Sequence, residues 1–219
     1  AKDNSVLFWV ERDDNQRPSA VYAKNIHDKF DAPKLIYLEK DPSFFVSVGE
    51  TDSGNYIEIN IHNHTTNEVW IIPADKPYDK PTCVNKRTAG HEYSIHDHNE
   101  NLDILTNYDN STDFAVMHTS VNDLDSKHWN IVIPHRPGTL ILGLRTFSNY
   151  LVRLVRENAL PKIIIRNLND NSEKVINFDE EAYSISLLTG HEYNTRCLRF
   201  SYSSPTTPKQ IYDYDMYTH

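Results

Sequence analysis

The sequence predicts an all-β chain. Short runs of β-branched and aromatic residues recur along its whole length, clusters of Asn, Asp, Ser and Gly separate them, and the runs return at a nearly constant interval. The first half carries such runs at residues 6–10 (VLFWV), 44–48 (FFVSV), 56–61 (YIEINI), 68–72 (EVWII), 102–106 (LDILT) and 114–118 (FAVMH). The second half adds 139–142 (TLIL), 150–155 (YLVRLV), 162–165 (KIII), 175–178 (VINF), 183–187 (YSISL) and 198–202 (LRFSY). In several of them alternate side chains are apolar, as Ile57, Ile59 and Ile61 are, which buries one face of a strand and leaves the other wetter. The turns at 52–55, 97–101 and 169–172 are built from residues that tolerate positive φ or bond their own backbone, as tight hairpins require. Residues 123–127 form the one plausible helical turn.

The spacing says more than any single run. The second strand of each group begins near Ser5, Asn55, Asn101, Asn149 and Arg196, an interval of about 46 to 50 residues. That is close to the length of a four-stranded β-propeller blade. Local similarity adds weak support: His91-Glu92-Tyr93 returns as His191-Glu192-Tyr193, and Glu92-Tyr93-Ser94-Ile95 resembles Ala182-Tyr183-Ser184-Ile185. A sandwich or barrel with evenly spaced strands is the alternative.

Composition narrows the function classes. With 219 residues, 38% of them hydrophobic, the chain can build a packed core. A net charge of -9 disfavours non-specific binding to nucleic acid or anionic lipid, and no run of about 18 apolar residues marks a membrane span. The two cysteines, Cys83 and Cys197, lie far apart and outside any CxxC pair, which excludes a disulfide scaffold and a Cys-rich zinc module. They read as reduced, buried thiols of a cytoplasmic protein.

Few motifs promise chemistry. His62 and His64, two apart on a strand and followed by Glu68, have the spacing of a cupin-type metal site. The flanking glycines and second histidine motif of that site are missing, and 63–67 reads as a hairpin turn. His91-Glu92 with His96 and His98 departs from the His-Glu-x-x-His helix of zinc peptidases, because His96 falls five residues after His91; these read as exposed polar positions on a blade. There is no Gly-x-Ser-x-Gly elbow, no phosphate-binding glycine loop and no evident base beside either cysteine. Acidic runs such as 179–181 read as solvated turns. The residues therefore assign no catalytic, substrate-binding or metal position and imply no cofactor.

A longer pattern does carry an assignment. Residues 35–48 (LIYLEKDPSFFVSV), 51–54 (TDSG), 62–70 (HNHTTNEVW), 72–77 (IPADKP), 104–107 (ILTN), 129–136 (WNIVIPHR), 150–152 (YLV), 178–184 (FDEEAYS), 199–208 (RFSYSSPTTP) and 211–216 (IYDYDM) occur in one collinear order. This set resembles the propeller domain of the oligopeptidase B (protease II) branch of the prolyl oligopeptidase family of serine peptidases. The resemblance implies a seven-bladed propeller that caps an α/β-hydrolase domain. Residues 1–219 would supply about four to five four-stranded blades, beginning and ending within the propeller, with the Ser, Asp and His triad in the other domain. It further implies a parent peptidase that cleaves short peptides after Arg or Lys, with the propeller controlling access, while this chain alone is inactive; the alternative is a stand-alone propeller binding module or a cupin-like protein holding a metal at His62, His64 and Glu68. The expected partners are the hydrolase domain and short basic peptides, which the acidic balance would steer. An open arc of blades would expose apolar flanks able to self-associate.

Overall fold

The computed structural model describes residues 3–30, 32–188 and 192–219. Among the described residues the strands are β1 (Val6–Arg12), β2 (Pro18–Asn25), β3 (Lys34–Leu38), β4 (Phe45–Glu50), β5 (Tyr56–His62), β6 (Asn67–Pro73), β7 (Thr82–Asn85), β8 (Tyr93–His98) and β9 (Asn101–Thr106). They continue with β10 (Ala115–Ser120), β11 (Asn130–Ile133), β12 (Thr139–Thr146), β13 (Tyr150–Glu157), β14 (Leu160–Asn167), β15 (Glu173–Ile176), β16 (Ser184–Leu187), β17 (Cys197–Ser203) and β18 (Gln210–Asp215). The helical turn expected at 123–127 is a single 3-10 turn at Ser126–His128, capped by the Asp125 side chain. No helix of the described residues is long and apolar enough to cross a membrane.

The strands form five separate antiparallel meanders: β1–β3, β4–β7, β8–β11, β12–β15 and β16–β18, referred to below as the first to fifth blades. The three central blades have four strands, as expected; the first and fifth have three. Among the described residues the blades share no paired strands and meet by packing, β4 against β1 and β2, β8 against β6 and β12, and β16 against β14. Tight turns fall where the polar clusters stand. Gly54 at φ 70°, Asn99 at φ 56° and Asn171 at φ 60° take the left-handed conformation that Gly and Asn tolerate best.

Alternation along each strand places an apolar row against each neighbouring blade. Ile57, Ile59 and Ile61 of β5 pack with Val21 and Val46 at the first seam, while Val69 and Ile71 of β6 join Ile95, Leu102 and Ile104 at the second. Leu105 and Val116 meet Ile141 and Leu151 at the third, and Val152, Ile163, Ile185, Leu198 and Phe200 fill the fourth. Every central blade is thus covered on both faces, and stability comes from the seams between blades.

Strands β2, β3, β7, β11 and β18 fall outside the apolar runs of the sequence, and for β2 and β7 the reason is physical. β2 (PSAVYAKN) buries only the small Ser19, Ala20, Val21 and Ala23, and β7 is four residues long with one buried residue, Val84. Two further expectations are corrected. Cys83 is half-buried and Cys197 is exposed, so the thiols are free but not both buried. His91 and His96 are buried, not exposed blade positions; each ring nitrogen of both has a partner within the fold.

Candidate functional site

First strands meet where β8 lies against β12 and β4 against β1, while β4 also lies against β2 and β16 against β14. The turns that follow these strands make polar contacts that skip blades. Asp52, in the β4–β5 turn of the second blade, accepts a hydrogen bond from the Thr146 backbone N–H of the fourth at 2.9 Å. Asp97 of β8, fully buried, accepts from the Ser53 hydroxyl and the Ser53 backbone N–H, and its carbonyl accepts from the Thr146 hydroxyl at 3.1 Å. His98 of the third blade meets the Tyr193 hydroxyl of the fifth at 2.7 Å.

At the centre of this junction three side chains form a chain of hydrogen bonds. His96 Nδ1 lies 3.0 Å from Asp52 Oδ2, and His96 Nε2 lies 3.1 Å from Ser94 Oγ. Ser94 and His96 stand two apart on β8 and so share a face. Burial works to raise the Asp52 pKa, but the His96 hydrogen bond and charge, the Thr146 N–H and Arg145 outweigh it and hold the carboxyl at about 2. An ionised Asp52 only accepts, so Nδ1 carries the proton and, in the neutral ring, Nε2 accepts from the Ser94 hydroxyl. Nearby on β5, burial pushes Glu58 up to about 7; the His96 and Arg145 charges pull the other way, and Asp52 adds to the rise.

Ser94 and His96 open on a cleft of about 400 Å³ that Leu142, Arg145, Leu154 and Leu187 also line. Arg145 reaches toward Asp52 at 3.9 Å, and its guanidinium donates to the Leu144 carbonyl at 3.3 Å. Its Nε–H is buried without a hydrogen-bond partner among the described residues.

The cupin-like set does not converge. β5 and β6 pair Ile61 with Glu68 and His62 with Asn67, so Glu68 shares the face of Ile61 and points away from His62. The Glu68 carboxylate instead accepts from Trp70 Nε1 at 2.7 Å and the Arg87 N–H at 3.0 Å. His64 is an exposed turn residue, and among the described residues no group of three or more His, Cys, Asp or Glu gathers around a point that could hold a metal. His91 pairs with Thr106 and Asn85, away from His96. Its counterpart His191 lies outside the described residues.

Sequence reasoning missed Ser94, His96, Asp52 and Arg145 as a group. Ser94-x-His96 matches no motif, and Asp52 lies 44 residues from His96 along the chain. The one signal was the blade interval, which brings equivalent turns of successive blades to the same end.

These features define a class: a series of propeller blades whose seams are apolar and whose inner turns are joined by polar contacts. Comparison with known proteins narrows the class to a family. The description "Prolyl oligopeptidase, N-terminal beta-propeller domain" matches residues 1–219, and the chain belongs to that family of serine peptidases. It is 29% identical over 213 residues to "Prolyl endopeptidase-like" of Homo sapiens, covering 97% of this chain and 29% of the relative. "Protease 2" of Moraxella lacunata is 27% identical over 212 residues, covering 97% and 30%. The chain thus spans less than a third of the curated relatives it matches. The fold superposes on oligopeptidase B from Leishmania major with a TM-score of 0.89 at 21% identity, covering 99% of this chain and 32% of that one. Oligopeptidase B from Trypanosoma brucei gives 0.89 at 24% identity, covering 98% and 32%.

Proposed function

We propose that these blades belong to the access-controlling propeller of an oligopeptidase B-like serine peptidase that cleaves short peptides after Arg or Lys. The observation that carries the reading is the family match over residues 1–219, joined to a superposition on two oligopeptidase B structures that takes in nearly the whole chain. In this proposal a hydrolase domain of the same protein performs acyl transfer with its own triad. The propeller restricts entry so that short, flexible peptides reach that domain and folded proteins do not. Exposed apolar residues on the end blades, Leu7 and Leu35 on the first and Ile211 and Tyr212 on the fifth, support packing against further blades. A cytoplasmic setting belongs to the same proposal and rests on the two unpaired cysteines.

The competing reading is cleavage after proline, favoured by the prolyl endopeptidase-like relative at 29% identity. Matched short peptides with Arg, Lys or Pro before the scissile bond separate the two when given to the intact protein. The proposal expects the Arg and Lys peptides to give the highest kcat/KM, with a folded protein of the same sequence left intact. A preference for Pro would replace the oligopeptidase B-like specificity, and turnover of folded substrates would remove the gating role.

A further inference from the structure

The Ser94–His96–Asp52 chain lies in the blades themselves and calls for an account separate from peptide cleavage by another domain. Its connectivity is that of an activated nucleophile: a hydroxyl bonded to an imidazole nitrogen whose opposite nitrogen is held by a buried carboxylate. Asp52 is fixed in turn by the Thr146 backbone N–H at 2.9 Å and the Thr146 hydroxyl at 3.2 Å, so the imidazole is held in one orientation. The strand supplies a rigid base, because Ser94 and His96 pair with Leu105 and Asp103 of β9 in unbroken register. The same cleft is lined by Arg145, a cation whose charge favours an oxygen that becomes negative there.

We propose that Ser94 is a catalytic nucleophile of a second hydrolytic centre, with His96 as its general base, Asp52 orienting the ring and Arg145 facing the oxyanion, and that its substrates are small carboxylic esters with apolar acyl groups. The Ser94 oxygen adds to the ester carbonyl carbon as its proton passes to His96 Nε2. The bond to the alkoxide then breaks, the proton on His96 goes to that leaving oxygen, and alcohol departs from an acyl-Ser94. Water adds to the acyl carbon by the same relay, releasing the carboxylic acid and restoring the serine. The substrate class follows from the cleft: its volume of about 400 Å³ admits a small molecule, and Leu142, Leu154 and Leu187 offer an apolar wall for the acyl chain.

The test separates this centre from the proposed peptidase by mapping where a reagent lands. The intact protein is treated with a fluorophosphonate at pH 8, and modified peptides are identified by mass spectrometry. The expected result is an adduct on Ser94 in addition to any on a serine outside residues 1–219. His96→Gln should slow labelling at Ser94 at least tenfold, and added imidazole should restore part of the rate, which it would not do for a merely structural histidine. Arg145→Met, which keeps the length of the side chain, should lower hydrolysis of para-nitrophenyl butyrate through Ser94 while leaving the Asp52–His96 contact in place. Absence of a Ser94 adduct in folded protein, or labelling at Ser94 unchanged by His96→Gln, would overturn the proposal. A failure here leaves the peptide specificity untouched, because that is read with different substrates.

Discussion

The seams between blades and the junction of the inner turns are held by different chemistry. Each seam is built on an apolar layer in which alternate residues of two sheets meet, as Ile59 and Ile61 do with Val21, and the second also carries Asn67 hydrogen-bonded to the Tyr93 backbone. The junction is polar: one carboxylate, Asp52, serves a histidine of the third blade and a backbone amide of the fourth. The seams are non-directional and tolerate conservative change; the junction is directional and fails when one partner is lost. The first therefore explains why the chain folds, and the second fixes how neighbouring blades are set relative to one another.

Substitutions can break this contrast, and the largest effect is expected at a seam. Ile59→Ala, at a fully buried position, should cost about 2–5 kcal/mol through lost transfer energy and the cavity it leaves, measured by chemical denaturation. At the junction, Asp97→Ala strands the Ser53 hydroxyl and N–H and should cost about 1–3 kcal/mol, with increased amide exchange confined to the turns at 51–55 and 146–149. A cost at Asp97 equal to that at Ile59, spread over the whole fold, would erase the distinction.

A third effect appears as a slope with pH. Glu58 is raised from 4.5 to about 7, so between those values the folded state holds a proton that the unfolded chain has released. Stability contributed by this group therefore falls as pH rises from about 4.5 to about 7 and then levels. Asp52 has the opposite sign: its pKa is lowered from 3.8 to about 2, and its contribution is lost as pH falls through that range. Glu58→Gln should remove the first slope and leave the second, with Tm measured from pH 2 to pH 9. The smallest effect is expected for Tyr193→Phe, which loses one hydrogen bond to His98 and should cost about 0.5–1.5 kcal/mol in the same denaturation assay.

The two regions were unequally legible. The blade interval and the alternation of Ile57, Ile59 and Ile61 report the seams directly, because a strand with one face against a neighbour writes a period of two into the sequence. β2 was hidden because its buried positions are small, and β7 because it is short. The junction left no such trace. Glu58 sits at an alternate polar position and reads as the wetter side of β5, yet that side faces His96 of the next blade. His96 reads as a surface residue because its partner Asp52 comes from another turn, and hydrogen bonds at that separation have no local spacing. The His62, His64 and Glu68 spacing misled in the other direction: the β5–β6 register puts Glu68 on the opposite face from His62.

The proposal that these blades serve a serine peptidase whose triad lies in another domain is tested by substrate protection. The intact protein is labelled with a serine-directed fluorophosphonate in the presence and absence of a short Arg-containing peptide, and the protected serine is located by mass spectrometry. The protected serine is expected outside residues 1–219, and its modification is expected to abolish cleavage of the peptide. A peptide-protected serine within residues 1–219 would contradict it.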